Sequence, residues 1–194
     1  MREVGERMFS YGGEKGLRMM VPTGKFLRGD AMAQHGEFAE GIAQMREGIK
    51  ELRSMGTLFS LPSLFASVAD ACARSGNIDD GLAMVEEGLE MRRTSGEHFS
   101  LPEIHRIKGK LLLASSVNNT DAAETAFAEA LSIARAQQAK LLELRAATSL
   151  AHLWRDQGSP QQARELLAPV YGWFTEGFDT RDLKDAKALL EELA

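Results

Sequence analysis

The residues able to do chemistry are few and scattered. Four histidines, His35, His98, His105 and His152, fall in four separate parts of the chain. None has the close helical spacing of a metal-binding H-E-x-x-H. A single cysteine, Cys72, excludes an internal disulfide and a zinc-binding cysteine pair. Its position matches Met32 and Leu112 in neighbouring repeats, so it reads as a small buried hydrophobe. The glycines of Tyr11-Gly12-Gly13-Glu14-Lys15-Gly16 lack the spacing of a phosphate loop. Arg28-Gly29-Asp30 lies mid-helix and reads as coincidence. Asn118-Asn119-Thr120 is a formal glycosylation sequon. With no nucleophile–base pair and no ligand cluster, the expectation is a chain without catalysis, cofactor or metal.

What does recur is a helix junction. Phe59-Ser60-Leu61-Pro62 returns as Phe99-Ser100-Leu101-Pro102. Glycine recurs at Gly16, Gly56 and Gly96, and proline at Pro22, Pro62 and Pro102, with a period of about 40 residues. Glycine tolerates the left-handed backbone that closes a helix, and proline suits the first turn of the next. Each copy therefore reads as helix, stop, start, helix.

The bulk properties agree. A hydrophobic share of 44% with 26% charged residues is that of a globular domain, and the scarcity of β-branched residues favours helix throughout. The net charge of −5 argues against a general nucleic-acid surface. No apolar run approaches the roughly 18 residues of a membrane span, and Met1-Arg2-Glu3-Val4-Gly5-Glu6 lacks a signal peptide's apolar stretch. A cytoplasmic protein that binds neither membrane nor nucleic acid is expected.

The pattern predicts one repeat domain over 1–194. Residues 1–15 form a lone helix, read as the second helix of a pair whose first helix is absent. Helix pairs follow at 19–53, 61–93, 101–137 and 140–174, with Thr120 as an N-cap and Pro169 kinking the last helix of the fourth pair. A final helix at 179–193, with Leu183, Ala186, Leu190 and Leu193 on one face, would cap the stack. Trp154 is expected in the core, and Trp173 and Phe174 beneath the final helix. The lone first helix should expose Val4, Met8 and Phe9 and favour a homodimer.

Small residues recur inside the pairs. The first helices carry Gly29, Ala69, Gly109 and Ala151. The second helices carry Gly41 with Met45, Gly81 with Val85, Ala123 with Phe127, and Ala163 with Leu167. In this the chain resembles the tetratricopeptide repeat family, although the period of about 40 exceeds the usual 34 and glycine replaces the proline that closes the second helix. Phe26-Leu27-Arg28-Gly29, the run Glu40 to Gly48, the run Glu143 to Ala151 and the block Tyr171 to Thr180 are similar to the C-terminal repeat region of large bacterial regulators. Those join an adenylate/guanylate cyclase-type or DNA-binding domain to a signal-transduction ATPase and then to such repeats. The resemblance implies an all-α, right-handed superhelix of antiparallel helix pairs, a TPR-like α-solenoid with a C-terminal capping helix.

It also implies a groove lined by the first helix of each pair. The residues at those positions are Asp30, Gln34, Asp70, Arg74, Glu103, Arg106, Lys110, Arg145, His152 and Arg155. Acids gather early and bases late, which suits an acidic peptide or a carboxylate. A solvated face balanced by local ion pairs is the competing reading. Two functions follow: a scaffold that binds a protein segment or a neighbouring domain of a parent regulator, or a module whose groove senses a small anionic ligand.

Overall fold

Every segment with a helical period is a helix in the computed structural model, which describes residues 2–58, 60–115 and 119–194. In order these are α1 (Arg2–Lys15), α2 (Met20–Gln34), α3 (Phe38–Ser54), α4 (Leu61–Ser75), α5 (Ile78–Ser95), α6 (Leu101–Ser115), α7 (Thr120–Ala136), α8 (Lys140–Asp156), α9 (Pro160–Tyr171) and α10 (Arg181–Glu192). No strand occurs among the described residues. Phe59, from the first copy of the recurring tetrapeptide, and Asn118, from the sequon, lie outside the described residues. The fold is all-α, built of packed neighbouring helix pairs. It divides into two compact units, Met1–Ser100 and Leu101–Ala194.

The first unit is held together by glycines. Gly29 and Gly41 face each other so closely that a Cβ on either would stand 2.5–2.6 Å from the other's carbonyl oxygen. Seven residues away on both helices, a Cβ on Gly48 would meet the Pro22 carbonyl at 2.7 Å. This register makes α2 and α3 an antiparallel pair in backbone contact. The helix α1 is packed in the same way. A Cβ on Gly24 would lie 2.4 Å from the Phe9 nitrogen, and one on Gly5 2.7 Å from the Arg28 nitrogen. The buried side of α1 is thus Gly5 and Gly12, with Met8 and Phe9 half-buried beside them. Phe9 is covered by the Arg28 guanidinium, 5.3 Å from the ring centroid. The expected exposure of three apolar residues is corrected to Val4 (50%) and Tyr11 (52%), because the glycines draw the adjoining face onto α2.

Between pairs, α3 is tied to α5 by Arg46 Nη2 to Asp80 Oδ2 at 3.0 Å and Arg53 Nη1 to Glu87 Oε2 at 3.6 Å. The chain closes α3 and α5 with Gly56 and Gly96 at φ 74° and 69°, a conformation that costs glycine little.

The second unit replaces backbone contact with an aromatic filler. The ring of Phe127 in α7 lies against Gly109 in α6, within 2.5 Å of where a Cβ would stand. Around it Leu144, Leu150, Leu167 and the alanines of α7, α8 and α9 form one core. Leu183, Ala186 and Leu189 of α10 and Leu193 just after it close the core, with Leu190 only partly buried, so Leu189 takes the inward place expected of Leu190. All eight recurring small residues of the pairs are buried, as are Met45, Val85, Phe127 and Leu167.

Three local expectations change. Thr120 is the first helical residue, with Asn119 at the cap position and no side-chain cap bond. The helix α9 ends at Tyr171, three residues early. It runs through Pro169, which has no N–H to bond the preceding turn, and closes at Gly172, whose N–H reaches the Ala168 carbonyl at 2.9 Å. Trp173 is therefore on a loop and 58% exposed, not under α10, whereas Phe174 does pack on the core.

Candidate interaction surface

In the first unit the chosen residues come together across α2 and α4. Gln34 Nε2 donates to Asp30 Oδ2 at 2.6 Å, and Arg74 Nε lies 3.2 Å from Asp70 Oδ2. The Arg74 guanidinium also covers the Phe38 ring at 5.5 Å. Burial pushes the Asp30 carboxyl up, against the pull of Arg74 and the Gln34 hydrogen bond, and the Asp70 charge adds to the rise. The four residues make a polar cluster in which one guanidinium serves two carboxylates.

The second unit holds the rest as a ladder across α6, α8 and α10. Arg106 grips Glu103 with Nε at 2.9 Å and Nη2 at 2.6 Å. Arg145 Nη1 stands 3.8 Å from the same carboxylate. Its Nε and Nη2 donate to Asp182 Oδ2 at 3.0 and 2.8 Å. Burial pulls the Arg145 guanidinium down, but the Asp182 hydrogen bond and Glu103 more than reverse it and hold its pKa above the ordinary value. At the other end of α8, Arg155 meets Asp156 at 2.8 Å and Glu192 at 2.6 Å. The hydrogen bond to Asp156 raises its pKa. His152 is half-buried; burial and then the Arg155 charge push its pKa down, so it is neutral at pH 7. Lys110 is engaged as well.

The late arginines thus do not stand as free positive charges. Each meets a carboxylate of its own unit. Spacing carried a signal for this: Arg145 and Arg155 are ten residues apart, as are Asp182 and Glu192. Each arginine reaches its partner across the same separation of 37 residues.

A further group was not singled out from sequence. Glu143 is 5% exposed and receives Arg135 Nε at 3.0 Å and Lys140 Nζ at 2.8 Å. Burial alone would push its carboxyl up; the hydrogen bonds from Lys140 and Arg135 outweigh this and hold it low. Lys140 Nζ also lies over the Trp173 ring, 5.7 Å from its centroid. These contacts join the α7–α8 turn to the loop after α9, two segments more than thirty residues apart, which periodicity does not bring together.

Other candidates resolve simply. Cys72 is fully buried, and burial pushes its thiol up, which keeps it protonated. Trp154 is partly buried against the core, and its Nε1 donates to Glu124 Oε1 at 2.8 Å. His105 Nδ1 lies 2.9 Å from Glu129 Oε2. Among the described residues no group of three or more His, Cys, Asp or Glu side chains is placed to hold a metal ion, and no helix is long and apolar enough to cross a membrane. No family model matches the chain, and a search of curated proteins finds no match.

Proposed function

We propose that the chain is a non-catalytic helical-repeat scaffold that binds a protein segment or a neighbouring domain of its own parent chain. One observation carries this reading: in four successive helix pairs the same small and large residues are buried at the same register. Such repetition makes a stack of hairpins and leaves one polar edge of each to present side chains. The resemblance to tetratricopeptide repeats supports a right-handed superhelix. Its similarity to the repeat regions of bacterial signalling regulators supports a cytoplasmic role beside a cyclase-type or DNA-binding domain.

A sensor of small anions is the weaker reading, because Arg106, Arg145 and Arg155 already hold carboxylates that an anion must displace. The two readings separate in a thermal-shift screen. Ligands that bind the native state raise its transition. The scaffold reading expects stabilisation from members of a peptide library and none from an equal library of anionic metabolites. The reverse pattern supports the sensor and overturns the scaffold.

A second partner is another copy of the chain. Val4 and Tyr11 are exposed two turns apart on α1 with the half-buried Met8 between them, and apolar side chains exposed in this way favour self-association.

A further inference from the structure

Three unusual features gather where the α7–α8 turn meets the loop after α9. Gln138 has φ 55°, the single non-glycine positive φ among the described residues. Glu143 is a buried carboxylate serving two cations, Arg135 and Lys140. Trp173 stands more than half in solvent although its neighbours Tyr171 and Phe174 pack on the core.

The arrangement is fixed from beneath. Phe174 meets the Trp173 ring edge-on at 5.2 Å and 86°, and Lys140 covers the indole from α8. Glu143 in turn fixes Lys140. The indole is therefore held by its neighbours while contributing little to the core. A rigid, half-exposed tryptophan loses little entropy on binding, which is why such side chains anchor protein interfaces. Within this ion-paired group two cations share one carboxylate, and both remain partly open, with Arg135 51% and Lys140 37% exposed. This excess of one positive charge at an aromatic platform matches an apolar side chain flanked by a carboxylate. A polyphosphate fits less well, since one net charge would face several and the whole chain carries −5.

We infer that Trp173, with Lys140 and Arg135, is a docking site for an acidic protein segment that presents an apolar side chain. The inference rests on the scaffold reading and names the chemistry of the partner.

The test uses the two tryptophans of the chain, whose indole N–H groups give two NMR signals. Trp154, bonded to Glu124, reports the integrity of the fold. The probe is a capped pentapeptide with a central leucine and acidic residues on both sides; the controls are the same peptide with lysines for the acids, and ATP. The acidic peptide is expected to shift the Trp173 signal saturably and leave Trp154 in place, while the basic peptide does nothing. Lys140→Met, which keeps the stem and removes the charge, should weaken binding about tenfold. Arg135→Met, on a different helix, serves as the second variant. A Trp173 signal unmoved at millimolar peptide, unchanged affinity in both variants, or a stronger response to ATP overturns the site. If library peptides still raise the thermal transition in that case, the scaffold reading stands without this site. If they do not, both fall.

Discussion

Arg145 and Asp182 join α8 to α10 through two hydrogen bonds to one carboxylate oxygen, and Arg155 with Glu192 repeats the link at the far end of both helices. The final helix is thus bound by apolar burial along its length and by charge near each end. The Arg145 side chain is 35% exposed, so the pair belongs with partly solvated ion pairs. A double-mutant cycle of Arg145→Met and Asp182→Ala should give a coupling of about 0.2–1 kcal/mol, read from chemical denaturation. The coupling should shrink in molar salt. A salt-independent coupling would contradict the partly exposed geometry.

The close approach of α1 and α2 makes two glycine substitutions act in opposite directions. Gly24→Ala places a Cβ 2.4 Å from a backbone nitrogen and should cost about 1–3 kcal/mol. Gly13→Ala meets nothing within 4 Å, in the same helix pair, and should stabilise by roughly 0.5–1 kcal/mol. Melting temperatures of the two variants decide the matter, and equal shifts would refute the packing described.

The depressed pKa of Glu143 sets an acid limit. A group held low in the fold adds stability above its unfolded pKa, about 4.3, and loses it as pH falls through the folded value. The stability gap between the native chain and Glu143→Gln should be constant from neutrality to about pH 5 and then close on acidification. A gap independent of pH would mean that the two ion pairs add nothing.

Asp30 works with the opposite sign. Its pKa is raised by burial, so ionisation penalises the fold above that value. Asp30→Asn keeps an oxygen for Gln34 and should be the more stable protein at pH 7. The advantage should shrink as pH falls through the raised folded value and vanish below about 3.9, where both states are protonated. Urea midpoints at several pH values measure this.

The exposed edge of α1 gives a test of self-association. Sedimentation velocity should show concentration-dependent dimers, and Tyr11→Lys should shift the equilibrium to monomer without lowering the melting temperature at concentrations where the native chain is itself monomeric, since Tyr11 is half in solvent. A strict monomer at every concentration overturns the second partner.

The sequence by itself determined the helices and their pairing. Gly56 and Gly96 stop a helix because their backbone turns left-handed, and Pro62 and Pro102 begin the next, which are local effects that a repeat displays openly. The buried register of Gly29, Gly41, Ala69 and Ala151 was legible for the same reason: a period is visible along the chain. The tertiary structure alone decided where charge goes. Arg145 reads as a free cation until Asp182 is brought to it from 37 residues away, and Glu143 reads as a surface acid until folding buries it between Arg135 and Lys140. Trp173 reads as core until α9 ends at Tyr171 and leaves the indole on a loop. Helix period is set by neighbours along the backbone, whereas ion pairing and exposure depend on distances through space that no local pattern encodes.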